Sequence, residues 1–246
     1  MNKVIKKGLS IFNVENLQKG TLLANSILSK NVDKKTALFL SGGSTPQPLY
    51  ELIAKKGRLS FGAAAMVDER FGERMHKNSN EKMIGETGLL SYLEEKKVPF
   101  YGILRLHPKG GLDLAKDYNK KVKNLLENFS KSIAIMGIGE DGHTASLPAG
   151  IPHFAKASRG KQKSKIKNQK YVESVNNFPG EFKERITLTF KALSKMDLLI
   201  VLAFGSAKQN ALKLVFEKGT LSEIPARFYT KSEIAKKTIL ITDQKI

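Results

Sequence analysis

The sequence predicts an α/β protein with a mainly parallel sheet and helices on both faces. Three stretches support this class, because each reads as an apolar strand, a loop of small residues and a helix; they span 36–56, 133–147 and 198–217. Right-handed crossovers would bring the three loops to one edge of the sheet, where open α/β sheets bind ligands. No linker rich in Pro, Gly or Ser divides the chain, so we expect residues 1–246 to form a single domain.

Apolar periodicity and turn residues place the elements of the amino-terminal half. The apolar run at 36–40 predicts a buried strand. Thr45 and Pro46 are typical of the N-cap and the first residue of a helix, which we expect to begin there. The other elements of this half are a helix at 14–29, a strand at 63–67, a polar loop at 71–80, a helix to about 93, a strand at 100–106 and a helix at 112–129.

The carboxyl-terminal half is organised around the stretch 132–150, SIAIMGIGEDGHTASLPAG. It opens with a short apolar run bounded by Ser and Gly, which predicts a buried strand at 133–136. The apolar run at 198–204 predicts a second fully buried strand, which a helix follows. Alternating polarity indicates strands at 171–175 and 185–190, and ILIT predicts a last strand at 239–242.

Composition excludes several classes of protein. Hydrophobic residues make up 41% of the 246-residue chain, which is enough for a sizeable core and too much for a disordered protein. The absence of cysteine excludes disulfides and a thiolate nucleophile. No apolar run is long enough for a transmembrane helix, and the amino terminus lacks a signal-peptide pattern, so we expect a cytoplasmic protein.

The chain is strongly basic, with a formal net charge of +19 from 42 Lys and Arg against 23 Asp and Glu. This excess suits either nucleic-acid binding or the attraction of an anionic small substrate. The segment 156–170 carries many of the cations and no acid, but no aromatic residues are interleaved for base stacking. We therefore expect an exposed loop there and no specific nucleic-acid site.

The loop Ser41-Gly42-Gly43-Ser44-Thr45-Pro46 follows the first predicted buried strand. Its glycines leave backbone N–H groups bare, its hydroxyls can donate, and a helix amino terminus follows, so the loop can cradle a phosphate. It is not a Walker A loop, because the closing Gly-Lys-Ser/Thr is absent. An ordinary capped turn is the alternative.

Asp141 and His143 stand two residues apart after the strand at 133–136, within a turn of three glycines. A carboxylate beside an imidazole suits general acid–base chemistry, and a solvated turn is the alternative. Gly137-x-Gly139-x-x-Gly142 also matches the dinucleotide fingerprint, but no acid lies about twenty residues on to hold a ribose. Nicotinamide binding is therefore disfavoured.

Cations and acids at other predicted strand ends complete the candidate site. Lys208 opens the helix after the strand at 198–204, where a bound anion would relieve its conflict with the helix dipole. Arg185 can offer a fork-like phosphate contact, and Asp68-Glu69-Arg70 suits sugar hydroxyls and an anion. The four histidines form no metal-binding pattern, so we expect no metal, and no Gly-x-Ser-x-Gly elbow predicts a serine hydrolase.

These motifs occur in the order seen in 6-phosphogluconolactonases, which are similar to glucosamine-6-phosphate deaminases. The chain resembles that family through SGGSTPQPLY, VDER with a downstream NSN, GIGEDGHTAS, RITLTF and GSAKQNAL, over roughly 36–217. The resemblance implies a Rossmann-like fold of the sugar-phosphate isomerase/lactonase type. It also implies hydrolysis of 6-phosphoglucono-1,5-lactone to 6-phosphogluconate, in the pentose phosphate pathway, without a cofactor.

The resemblance assigns roles to the candidate residues. It makes His143 the base that activates water, supported by Asp141, and lets Asp68 and Arg70 line the sugar end. It places the phosphate against Gly42, Gly43, Ser44, Thr45, Arg185 and Lys208. A deaminase and a non-catalytic sugar-phosphate-binding protein remain alternatives, and both a monomer and a homo-oligomer remain open.

Two departures from the family pattern concern the walls of the pocket. The family usually continues DGHTAS with Leu-Phe-Pro-Gly, whereas this chain has Leu147-Pro148-Ala149-Gly150 and so lacks the aromatic residue. After Asp68-Glu69-Arg70 it has Phe71-Gly72-Glu73 in place of the usual apolar-Pro pair. Both segments leave the exact sugar-phosphate preference open.

Overall fold

The computed structural model describes residues 1–105, 111–150 and 170–246, and these form two β-sheets with helices packed on them. The larger sheet has eight strands in the order β1-β2-β11-β10-β7-β3-β4-β6. Its strands are β1 (Asn2–Lys6), β2 (Leu9–Asn13), β3 (Thr36–Leu40), β4 (Ala63–Met66), β6 (Phe100–Tyr101), β7 (Lys131–Gly137), β10 (Leu198–Ala203) and β11 (Thr238–Thr242). All neighbours pair in parallel except the hairpin β1–β2.

The smaller sheet is antiparallel and contains β5 (Asp68–Arg70), β9 (Arg185–Leu188) and β8 (Val172–Val175), in that order. The helices are α1 (Leu17–Asn31), α2 (Gln47–Lys56), α3 (Asn80–Glu86), α4 (Leu89–Glu95), α5 (Gly111–Asn128), α6 (Phe190–Ser194), α7 (Gln209–Phe216) and α8 (Ser232–Ala235). Within the three described ranges, no helix combines the length and the apolar character needed to cross a bilayer.

The central strands β3, β7 and β10 are short apolar runs because both faces of the sheet are covered. Every residue of β3 is buried, and so are all residues of β10 except Leu198. Parallel strands with two covered faces read as continuous hydrophobic segments rather than as alternating ones. The predicted class, a mainly parallel sheet with helices, is confirmed.

A topological switch point lies between β3 and β7. The chain that leaves β3 continues to β4, on the far side from β7, whereas the chain that leaves β7 reaches β10 on the opposite side. The loops after β3 and β7 therefore diverge at the carboxyl edge and leave a crevice, which is where open α/β sheets bind ligands.

The smaller sheet is joined to the larger sheet beside the crevice. Val67 joins β4 to β5, and its carbonyl accepts a hydrogen bond from Leu188 N of β9 at 2.9 Å. Helix α5 supports the other end, where Asn119 Oδ1 accepts hydrogen bonds from the backbone of Tyr171 and Val172 at 2.7 and 3.1 Å. The small sheet thus presents one of its faces to the crevice.

Several sequence predictions need correction. Thr45 is not an N-cap, because Pro46 takes that position with helical angles and no side-chain cap bond forms. The strand predicted at 100–106 ends at Tyr101 and passes into a 3-10 helix, Ile103–Arg105, where Arg105 Nε donates to the buried Glu81 at 2.8 Å. The helix predicted to about 93 is broken at Gly88, whose positive φ separates α3 from α4.

The strand–loop–helix pattern predicted at 133–147 is also wrong in its last part. Residues 138–150, all described, contain no helix. The loop is closed by Gly139 N donating to His143 O at 2.8 Å and by a bridge between Thr144 and Leu147. The basic segment 156–170 lies outside the described residues except for Lys170, so its predicted exposure remains a prediction.

Candidate functional site

A cavity of about 440 Å³ occupies the crevice at the switch point. The loops after β3 and β7 form two of its walls, and the small sheet and the start of α7 contribute the others. Its border includes every predicted site residue: Gly42, Gly43, Ser44, Thr45, Asp68, Arg70, Asp141, His143, Arg185 and Lys208. Residues far apart in the sequence are therefore brought together around one space.

The loop between β3 and α2 needs its glycines for two different reasons. Gly43 has φ +95°, and no atom lies within 4 Å of the point that a Cβ would occupy, so its backbone faces open space. A Cβ on Gly42 would lie 1.9 Å from Asn80 Oδ1, so only glycine fits there. Tyr50 OH donates to Ser41 O at 2.8 Å and anchors the loop on the first turns of α2.

The loop after β7 holds the imidazole of His143 against a carboxylate. His143 Nδ1 lies 2.5 Å from Asp141 Oδ1, which also accepts the backbone N–H of His143 at 3.0 Å. Gly139 is required here, because a Cβ would lie 2.1 Å from the imidazole ring. The carboxylate thus contacts one ring nitrogen and leaves Nε2 available for chemistry.

The charge of Asp141 fixes the tautomer of this pair. Burial raises the pKa of Asp141, but the hydrogen bonds from His143 and its charge outweigh that effect and hold the pKa at about 2. An ionised carboxylate can only accept, so Nδ1 must donate. The neutral imidazole then carries a lone pair on Nε2 and can take a proton from water.

The small sheet supplies two guanidinium groups and one carboxylate. Arg70 and Arg185 are directly opposite each other in the register of β5 and β9. Like charges in such a pair repel. Burial is the main cause that lowers the pKa of Arg185, and the nearby charge of Arg70 lowers it further. Asp68 lies on the same face and accepts from Ser146 Oγ at 2.6 Å. A ligand anion would relieve the repulsion between the two arginines.

Glu69 takes no part in the cavity, although the sequence suggested it together with Asp68 and Arg70. Strand alternation points it to the opposite face, where it is fully buried. There its oxygens accept from Ser79 Oγ and from the backbone N–H groups of Asn80 and Glu81, at 2.8 to 2.9 Å. It fixes the start of α3 beside β5 and so has a structural role.

Lys208 lies in a 3-10 turn, Ser206–Lys208, and forms the N-cap position of α7 rather than its first turn. Its side chain is 20% exposed, and its Nζ is 3.9 Å from Glu140 Oε1. Since Glu140 is mostly exposed, this pair is weak and can open when an anion arrives.

Sequence reasoning missed Asn80, which borders the cavity and is almost fully buried. Its Nδ2 donates to Asp68 O at 3.0 Å. Its Oδ1, Ser41 Oγ and Arg70 Nε have no hydrogen-bond partner within the described part of the chain. The only signal was the NSN motif at 78–80, to which spacing alone gives no role.

Glu173 is a second carboxyl group on this face of the small sheet, since it pairs with Thr187, which pairs with Asp68. Burial raises the pKa of Glu173 to about 7, and the charge of Lys170 opposes the shift only in part. Because the pKa of this carboxyl is higher in the folded state, its contribution to the free energy of unfolding is fully present below its unfolded pKa of 4.5. That advantage is lost as the pH rises through about 7.

We expect the free energy of unfolding to fall by about 2 to 3 kcal/mol between pH 4.5 and pH 8 through this one group. Glu173→Gln should flatten that slope and raise stability at pH 8, as measured by urea unfolding at both pH values. Glu181→Gln, which changes an exposed residue of the neighbouring loop, is the control. Identical slopes for wild type and Glu173→Gln would contradict the prediction.

Comparisons with known proteins agree with this architecture. A sequence profile of glucosamine-6-phosphate isomerases/6-phosphogluconolactonase matches residues 19–240. A 6-phosphogluconolactonase from Synechocystis sp. is 28% identical over 204 residues, which are 77% of this chain and 75% of that protein. A glucosamine-6-phosphate deaminase from Lactobacillus johnsonii is 27% identical over 220 residues, 86% of each protein.

A solved structure of a 6-phosphogluconolactonase from Plasmodium vivax has the same fold. The two superpose with a TM-score of 0.76 and 22% identity, over 99% of this chain and 92% of that one.

Proposed function

Because the chain belongs to the glucosamine-6-phosphate isomerase/6-phosphogluconolactonase family, we propose that it is an enzyme that hydrolyses 6-phospho-D-glucono-1,5-lactone to 6-phospho-D-gluconate, in the pentose phosphate pathway. The observation that carries the proposal is that the His143–Asp141 pair borders the same cavity as the cations Lys208, Arg70 and Arg185. A water-activating base and an anion site share one space. Residues 1–246 act as one domain in this proposal.

The phosphate is bound by the cations and the backbone N–H groups that border the cavity. Lys208 and the bare backbone N–H groups around Gly42 and Gly43 surround it, together with the hydroxyls of Ser44 and Thr45. Arg185 adds a guanidinium whose repulsion from Arg70 falls when the anion enters. Asp68 and Arg70 offer contacts to sugar hydroxyls.

The reaction needs one base, one water and donors for an oxyanion. Nε2 of His143 takes a proton from water as the water oxygen bonds to the lactone carbonyl carbon. The negative charge that develops on the carbonyl oxygen is stabilised by hydrogen-bond donors that border the cavity. Gly139 N and Gly142 N are not among these donors, because they donate to His143 O and Gly139 O at 2.8 and 3.0 Å. The bond from the carbonyl carbon to the ring oxygen then breaks, and His143 returns its proton to that oxygen. Asp141 stabilises the imidazolium throughout.

The test is an assay of the purified protein on freshly prepared 6-phosphogluconolactone. The rate must be corrected for spontaneous hydrolysis, which this lactone undergoes in water. Saturable turnover supports the proposal, and its absence would favour a non-catalytic sugar-phosphate-binding protein. We further propose a cytoplasmic enzyme that needs no cofactor or metal and binds no specific nucleic acid.

Glucosamine-6-phosphate deaminase is the second candidate, because one relative carries that name. A deaminase must open an amino-sugar ring and move a proton between adjacent carbons, which requires more than one titrating group. The fifth residue after His143 is Pro148, which is buried and has no ionisable group. The resemblance puts a Glu at this position in deaminases.

We therefore expect no ammonia from glucosamine 6-phosphate, with either the wild type or Pro148→Glu. A coupled ammonia assay measures this, with lactone hydrolysis by the same preparation as the positive control. Steady ammonia release by the wild type, at a rate comparable with its lactone hydrolysis, would reverse the assignment.

A further inference from the structure

Phe178 is a buried aromatic residue on a mostly exposed loop. It lies in the loop 176–184 that joins β8 to β9, and the residues on either side of it are exposed. Only 5% of Phe178 is exposed, and its backbone N–H donates to Lys183 O at 2.9 Å, which closes the loop over it. Burial of an aromatic ring is favourable, so this side chain helps to hold the loop against the rest of the protein.

An aromatic contact joins Phe178 to His143. The centroids of the two rings are 5.2 Å apart and their planes are at 88°, the T-shaped arrangement that aromatic rings favour. Asp141 holds the imidazole at Nδ1, and Phe178 limits its rotation by packing against the ring. The two contacts together fix the direction in which Nε2 points.

Arg185 stacks on the face of the Phe178 ring. The guanidinium carbon of Arg185 lies 3.9 Å from the ring centroid, a close cation–π contact. Arg185 Nε also donates to Phe182 O at 3.0 Å, a carbonyl of the same loop. The loop therefore orients the guanidinium by its ring and by its backbone.

One rigid side chain thus contacts both the base and an anion-binding residue, although Phe178 itself does not border the cavity. We propose that Phe178 is a positioning residue that sets the separation and the relative orientation of the His143 imidazole and the Arg185 guanidinium. The proposal rests on the proposed function, in which these two groups serve the reacting carbonyl and the substrate anion. Phe178 acts through both of them and touches no substrate.

The test compares Phe178→Leu and Phe178→Met with a matched control. Both variants keep an apolar side chain at this position but remove the flat ring, and methionine adapts to irregular space if leucine folds poorly. The control is Phe61→Leu, which makes the same change at a Phe that is 2% exposed. Phe61 precedes β4, near the amino end of β3 and so at the opposite edge of the sheet from the cavity.

We expect both Phe178 variants to lose roughly tenfold in kcat and to gain roughly threefold in KM, because small misplacements of reacting groups have large effects. Inorganic phosphate should inhibit them more weakly than the wild type. In ¹⁵N-histidine NMR, the His143 resonances, assigned by their loss in His143→Ala, should shift toward averaged tautomers. Phe61→Leu should lower stability but leave kcat and KM within about twofold and these resonances unshifted.

The proposal is wrong if the wild type hydrolyses the lactone and both Phe178 variants have the same kcat and KM as the wild type. It is also wrong if Phe61→Leu loses as much activity, since the loss would then reflect general destabilisation. If the wild type does not hydrolyse the lactone, the proposed function fails instead. The His143 resonances of the Phe178 variants still decide the positioning role in that case, because they need no turnover.

Discussion

Replacing His143 with alanine is expected to lower kcat for lactone hydrolysis by roughly a hundredfold or more, the usual contribution of a general base. KM should change little, because Nε2 acts on water and the phosphate end holds the substrate. Steady-state rates on fresh lactone, corrected for spontaneous hydrolysis, measure both constants. The side chain of His143 is 29% exposed, and its contacts with Asp141 and Phe178 lie at the border of the cavity. Thermal unfolding of the variant should therefore stay close to that of the wild type, and this measurement excludes misfolding.

A His143→Ala variant within about threefold of the wild type would remove His143 from the mechanism. The alternative source of the base would then be Asp68, another carboxylate at the cavity. Asp68 is already engaged by Ser146 Oγ, which leaves it less free to take a proton from water.

Lys208→Ala and Arg185→Ala are expected to raise KM by roughly tenfold to a hundredfold each, since a hydrogen bond to a charged group contributes about 1.5 to 3 kcal/mol. Their kcat values should change less, because a phosphate contact is much the same in the ground state and the transition state. Inorganic phosphate and sulfate should compete with substrate in the wild type and more weakly in both variants.

Lys213→Ala is the control for charge alone. Lys213 is exposed on α7, in the same helix that Lys208 caps, and it does not border the cavity. Lys213→Ala removes the same charge as Lys208→Ala from a chain of net charge +19. It therefore tests whether the overall positive potential of the protein, rather than a local phosphate contact, explains the rise in KM. If Lys213→Ala raises KM as much as Lys208→Ala, or if neither anion inhibits, the phosphate site is misassigned.

The central strands and the crevice could be predicted because their signals are local. The strand β3 has the predicted bounds, since a fully buried parallel strand is a continuous apolar run that needs no partner to be recognised. The glycine-rich loops after β3 and β7 come immediately after such runs in the sequence. Parallel topology then brings these loops to one edge, and so the border of the cavity contains all the predicted site residues.

The remaining features depend on residues that are distant in sequence. Asp68–Arg70 forms a strand only because Arg185–Leu188 pairs with it, so the segment resembles a loop when seen alone. The alternation of that strand turns Glu69 away from the cavity, which a three-residue polar motif cannot reveal. Phe178 contacts His143 from a different loop, and no local pattern marks that contact.

The place of β7 between β3 and β10 has a consequence for how the enzyme is made. A ribosome releases β3 and its loop first, then β7, and β10 and Lys208 only about sixty residues after β7. A nascent chain that carries β3 and β7 can already form the walls that their loops provide, yet the wall that carries Lys208 is missing until β10 docks on β7. A chain that is interrupted before Lys208 therefore lacks one wall of the cavity, although the loops after β3 and β7 are present.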